Sequence, residues 1–245
     1  MTPPPSPSIS EDDIDYHERQ DPHRRAGEVS EVILGAQDGL VNVLGVVLGV
    51  AASTGNNHVV LVAGLATTFA ESISMAAVAF TSSRANAAHF EAERKREYRH
   101  LRKVPALEKE EVREIYRSKG FEGDLLNQIV ETITHNPDVW VALMMAEEHR
   151  IAPVSHGESL RASWVVGLAS LVGSLFPLVP FLFFAPKTSM AVAVAAAGAA
   201  LFAIGIYKAK RTVGKPWRSG LELLTIGLMS AVLGYAIGAI FQVPV

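Results

Sequence analysis

Carboxylate, imidazole and thioether side chains recur at helical spacing between positions 93 and 148 of this sequence. Glu93, Glu97 and His100 stand at i, i+4 and i+7, Glu108 and Glu111 at i and i+3, and Met144 and Glu148 at i and i+4 with Met145 adjacent. Those intervals put side chains on one face of a helix, so three helices would each present a set of ligands. Carboxylate with imidazole suits Fe(II), Mn(II), Co(II) or Zn(II), and thioether sulfur adds a softness that Mg(II) and Ca(II) do not use. The same residues also fit a purely structural role. Glu108, Glu110 and Glu111 fall in the first turn of a helix, where acid complements the dipole, and Glu93 and Glu97 have basic neighbours. The 245 residues include no cysteine, which excludes disulfide scaffolds, thiolate zinc sites, iron–sulfur clusters and cysteine nucleophiles.

A second set of chemically active residues lies in apolar surroundings. Asp38 stands seven residues into the stretch 32–54, and Glu71 sits in the middle of 58–83 with Met75 at i+4, beside Ser72 and Ser74. A carboxylate in hydrocarbon costs at least a few kcal/mol, so it calls for a partner or a function. No Lys or Arg lies in the interior of either stretch. Protonated carboxyls bonded to backbone or serine groups would satisfy packing alone; a metal or proton path is the reading favoured here.

The elements that position these residues follow from hydropathy. Stretches at 32–54, 58–83, 160–184, 188–207 and 219–243 are rich in Ala, Val, Leu, Gly and Ile, and each has the ~20 residues that a helix needs to cross about 30 Å of hydrocarbon. Most charged residues fall instead in 1–31 and 85–158. The expected fold is an all-α membrane protein of five transmembrane helices, with a helical insert of three to four helices between the second and third. The expected domains are a tail (1–31), spans one and two (32–84), a metal-binding insert (85–158) and spans three to five (159–245). In the insert, Pro105 opens one helix and Gly120 closes it, DLLNQIVETITH forms the next, and PDVWVALMMAEEHR begins after Asn136.

The tail carries a Pro-rich TPPPSPS segment without regular structure and a polar segment able to form at most a short surface helix. The first span is not read as a cleavable signal. Arg24 and Arg25, the insert, and the connector 208–218 hold most Lys and Arg, whereas the loops STGNNH and APKTS hold one lysine between them. The positive-inside rule therefore puts tail, insert and connector in the cytoplasm.

ILGAQDGLVNVLGVVLGVAAS, followed by AESISMAAVAFTSS and an acidic insert ending in MMAEE, resembles the vacuolar iron transporter family, also called CCC1-like, over nearly the whole chain from about residue 24. The resemblance implies export of Fe(II) and Mn(II) from the cytosol by proton antiport, in a homodimer whose two first spans line the path. In that picture Asp38 corresponds to the first-span carboxylate, Met75 to the second-span methionine, and Glu31 to an acidic residue at the cytoplasmic mouth. Glu97, Glu108, Glu111, Met144, Met145 and Glu148 match the glutamates and methionines of the metal-binding insert. The chain departs from the pattern at His100, where the family pairs a second glutamate three residues after the first.

The expected protein is thus a transporter and not an enzyme, with no prosthetic group and with divalent metal ions, protons and the lipid bilayer as partners. Alternatives are a membrane-anchored metal sensor or buffer and a di-iron oxidase; the oxidase needs a second Glu-x-x-His element besides Glu97–His100, and none is found. A net charge of −3 argues against nucleic acid. The membrane would be a cell inner membrane in a prokaryote or a vacuolar membrane in a eukaryote. A homodimer is also expected because Gly45 and Gly49, four apart, let helices approach closely, and one copy of Asp38 and Met75 offers too few ligands for a desolvated ion.

Overall fold

The computed structural model describes residues 25–153, 155–211 and 214–242. The expectations for the tail fall almost wholly on residues 1–24, outside the described part. The elements, in order, are α1 (Arg25–Thr54), α2 (Asn57–Lys103), α3 (Pro105–Ser118), α4 (Gly123–Thr134), α5 (Pro137–Glu147), α6 (His156–Leu175), a 3-10 segment (Phe176–Leu182), α7 (Pro186–Arg211) and α8 (Pro216–Ile240). The chain forms two compact units, one of residues up to 77 and from 162 onward, the other of Val78–Arg161.

Among the described residues, five helices are long and apolar enough to cross a membrane: Val29–Thr54, Asn57–Lys103, Gly157–Leu182, Pro186–Arg211 and Pro216–Ile240. Their large apolar side chains point outward as well as inward; Ile73, Val172, Met229 and Ile240 are each more than 60 % exposed, as a lipid-facing surface requires. α1 is the central element. Its Leu40, Val43, Leu44, Val47 and Leu48 are buried against Ala193, Ala197 and Leu201 of α7 and Leu223 and Ala231 of α8. Between helices in lipid the solvent is as apolar as leucine, so close backbone approach holds the bundle together. Gly45 and Gly49 supply it: a Cβ on Gly49 would come within 2.9 Å of the Gly234 carbonyl oxygen, and Gly234 and Gly238 abut the carbonyls of Gly45 and Gly49 in return. The glycine pair expected to join two copies of the chain is therefore used inside one copy.

The third span differs from the continuous helix expected at 160–184. Pro177 and Pro180 remove two backbone donors, and the chain tightens into the 3-10 segment after Leu175. Asn57 donates to the carbonyls of Phe181 and Phe184 at 2.9 and 2.7 Å, and the Ser189 hydroxyl donates to those of Phe184 and Pro180, so the freed acceptors are met by side chains.

The second unit has its own core of Val112, Leu126, Val130, Trp140 and Met144. Each fully buried aliphatic side chain here contributes about 1.5–3 kcal/mol. α3 carries Pro105 in its first turn and ends where Gly120, at φ 91°, turns the chain. Asn136 caps α5 by accepting from the amides of Asp138 and Val139. Tyr98 donates to Asp138 at 2.5 Å, tying α2 to α5.

Candidate functional site

Three elements of the second unit bring four chemically active groups together. α2 contributes Glu97 and His100 one turn apart, α3 contributes Glu108, and the segment after α5 contributes His149. Nδ1 of His100 lies 3.2 Å from Oε1 of Glu108 and 3.9 Å from Oε1 of Glu97, and Nε2 of His149 lies 3.1 Å from that same Glu97 oxygen. The side chains of Glu97 and Glu108 are only 2 % and 3 % exposed. Oε2 of each is buried without a hydrogen-bond partner, a costly arrangement for a carboxylate unless a cation completes it. Two sets, Glu97 with His100 and Glu108, and Glu97 with Glu148 and His149, each gather their donor atoms within 4.8 Å.

The acids around this cluster divide by orientation. Glu110 pairs with Arg113 and Arg117 on the outer face of α3, and Glu93 pairs with Arg96 at 2.9 Å. Glu97, by contrast, has imidazoles rather than Lys or Arg beside it. Burial, together with the charges of Glu111 and Glu97, pushes the Glu108 carboxyl up to about 7, His100 opposing. Glu111 is also raised, by burial and by the charges of Glu148 and Glu97. Burial alone would lower His149, but its hydrogen bond to Glu97 and the neighbouring carboxylates outweigh this and raise it. The Glu108 carboxyl therefore exchanges its proton near neutral pH.

The two methionines are both buried within the unit. Met144 is wholly buried in the apolar core. Met145 lines a cavity of ≈ 510 Å³ with Phe90, Arg94, Tyr98 and Asp138.

In the first unit, the Asn42 side-chain amide donates to Asp38 at 3.3 Å and to Glu71 at 2.9 Å. Asp38 and Asn42 are one turn apart on α1, so this amide links the two intramembrane carboxylates across helices. Met75 lies one turn beyond Glu71 on α2 and is half-buried. Glu31, half-buried, sits two turns before Asp38 on the same face of α1. α1 is held in place next to Asp38 by Gly39, whose missing side chain makes room for the Ser170 carbonyl and the Ser174 hydroxyl of α6.

Sequence spacing missed His149 and Asn42. His149 directly follows Glu148, a spacing that points to different faces of a helix. Here α5 ends at Glu147, the His149 amide still bonds to the Met144 carbonyl, and Arg150 takes φ 54°. Asn42 carried a signal: it is one turn from Asp38 in an otherwise apolar stretch.

Five helices long and apolar enough to cross a membrane, joined in sequence to a helical unit with a buried carboxylate–imidazole cluster, define a multi-pass membrane protein. Residues 29–239 match the profile of the VIT family, and the chain belongs to that family. It is similar to vacuolar iron transporter 1 of Tulipa gesneriana, 31 % identical with 98 % of this chain and 96 % of that protein aligned. It is also similar to vacuolar iron transporter 1 of Arabidopsis thaliana, 29 % identical over 94 % and 92 % of the two chains. A vacuolar iron transporter of Plasmodium falciparum is 24 % identical over 96 % and 91 %.

Proposed function

We propose that this protein is a transporter that moves Fe(II), and Mn(II) as a second cargo, out of the cytosol in exchange for protons. The observation that carries the reading is the pair of intramembrane carboxylates, Asp38 and Glu71, bonded to one Asn42 amide with no Lys or Arg paired to them among the described residues. Such groups persist in hydrocarbon where they serve an ion or proton path. Met75 beside them supplies a soft donor suited to Fe(II). Glu97, His100, Glu108, Glu111, Glu148, Met144 and Met145 collect the ion from the cytoplasm.

The direction rests on the distribution of Lys and Arg: the insert and the 208–218 connector face the cytosol, so the collecting site faces the side from which metal leaves. The homodimer rests on ligand supply, since two copies of Asp38 and Met75 together give the four ligands that one copy lacks. The names of the aligned vacuolar iron transporters support iron as cargo. Purified protein in liposomes tests the reading. Fe(II) entry should accelerate when the pH gradient is imposed with the proton-rich side opposite the metal, and fall when an ionophore collapses it; entry indifferent to the gradient would remove the antiport.

A further inference from the structure

Building on the reading that the helical unit collects metal, we infer that His149 is a metal ligand and that Glu97 is shared by two ion positions, one completed by His100 and Glu108, the other by Glu148 and His149. Two donors each about 2.1 Å from one ion, at angles between about 90° and 110°, stand about 3.0–3.5 Å apart. The His149–Glu97 and His100–Glu108 separations, 3.1 and 3.2 Å, lie in that range. Glu97 sits between the two imidazoles, within 3.9 Å of the farther one.

Hydrogen bonding or ion pairing to the histidines accounts for Oε1 of each glutamate and leaves Oε2 of both buried and unpartnered. A second acceptor left in a dry site is destabilising unless something cationic meets it. A bridging carboxylate uses both of its oxygens, one for each ion, which satisfies Glu97 in full.

Each ion position then contains one neutral nitrogen donor. That biases the pair toward Fe(II), Mn(II), Co(II) and Zn(II) over Mg(II), which favours oxygen ligands and retains its waters. His149 would thus be a residue by which the protein rejects the abundant hard cation before transport begins.

The test uses full-length protein in detergent with Asp38→Asn in the background, so that only the helical unit is counted, and Mn(II) as the probe read by electron paramagnetic resonance. The parent should bind two Mn(II) per chain, giving a spin-coupled spectrum with imidazole nitrogen modulation in the pulsed experiment. His149→Gln should retain one ion with an uncoupled spectrum, nitrogen modulation now coming from His100 alone. Affinity for the lost ion should fall at least about tenfold, the size that loss of outer-shell partners already reaches. His149→Glu keeps a donor of similar reach and should restore two coupled ions while letting excess Mg(II) compete. A single Mn(II) in the parent, or a count and coupling unchanged in His149→Gln, overturns the inference and leaves the collecting role intact. Mn(II) binding that survives Glu97→Gln undiminished overturns the collecting role itself.

Discussion

Nε2 of His149 lies 3.1 Å from Oε1 of Glu97, a residue 52 positions earlier and 2 % exposed. That contact closes the space between α2 and the end of α5. The acids it encloses are pushed toward their protonated forms: Glu108 reaches about 7 through burial and the charges of Glu111 and Glu97, and Glu111 moves the same way.

Metal affinity should therefore depend on pH in the neutral range. With an ordinary glutamate pKa, binding weakens only toward about pH 4–5. With Glu108 protonated below about 7, each pH unit below that value costs about tenfold in affinity for one displaced proton. Calorimetric titration of Mn(II) at pH 8, 7 and 6 checks this. Equal affinities at 8 and 6 would mean Glu108 does not bind the ion.

The metal-free protein should respond to pH in the opposite sense. Glu108, Glu111 and His149 all have raised pKa values in the folded state, so the folded chain holds more protons than the unfolded chain. The contribution from Glu108 is complete below its unfolded pKa of 4.5 and is lost as pH rises through about 7. Thermal unfolding of the helical unit without metal should shift upward between pH 8 and pH 6, and saturating Mn(II) should flatten or reverse the trend. A metal-free unit that is most stable at pH 8 would contradict it.

Glu93 and Glu97 share a helix face in sequence and differ in partners. Glu93 pairs with Arg96, whose side chain is half exposed, an interaction worth about 0–1 kcal/mol. Glu93→Gln should leave Mn(II) affinity within about twofold, which is about 0.4 kcal/mol, whereas Glu97→Gln should abolish tight binding. Equal losses in the two variants would show that the acids act only as a diffuse negative field.

Gly45→Leu should prevent α1 from docking on α8, because even a Cβ there would stand 2.5 Å from the Ser230 hydroxyl. The expected outcome is loss of folded protein at size exclusion. A folded monomer from this variant would return the glycine pair to the dimer role expected from its spacing.

The helices were legible because the sequence concentrates charge outside five long apolar stretches, and Pro105, Gly120 and Asn136 mark the breaks where the structure places them. The 3-10 segment was visible only as Pro177 and Pro180; whether a span bends at proline depends on partners such as Asn57, which lies more than a hundred residues away in sequence. Glu97, His100 and Glu108 were found because helical spacing reports a shared face. The spacing could not tell Glu93 from Glu97, since that depends on which arginine reaches which acid. His149 lay beyond the period of the helix that precedes it. The partners of Gly45 and Gly49 were ambiguous for a related reason: a small-residue stripe specifies close approach and leaves the neighbour's identity to the tertiary fold.

Asp38→Asn in proteoliposomes tests the central claim most directly. Asparagine keeps the shape of aspartate and can hydrogen-bond, but it cannot carry a negative charge or take up a proton. The variant should insert, fold and bind Mn(II) at the helical unit as the parent does, while Fe(II) transport under an imposed pH gradient falls to the level of protein-free liposomes. Transport near the parent's rate would contradict a metal path through Asp38.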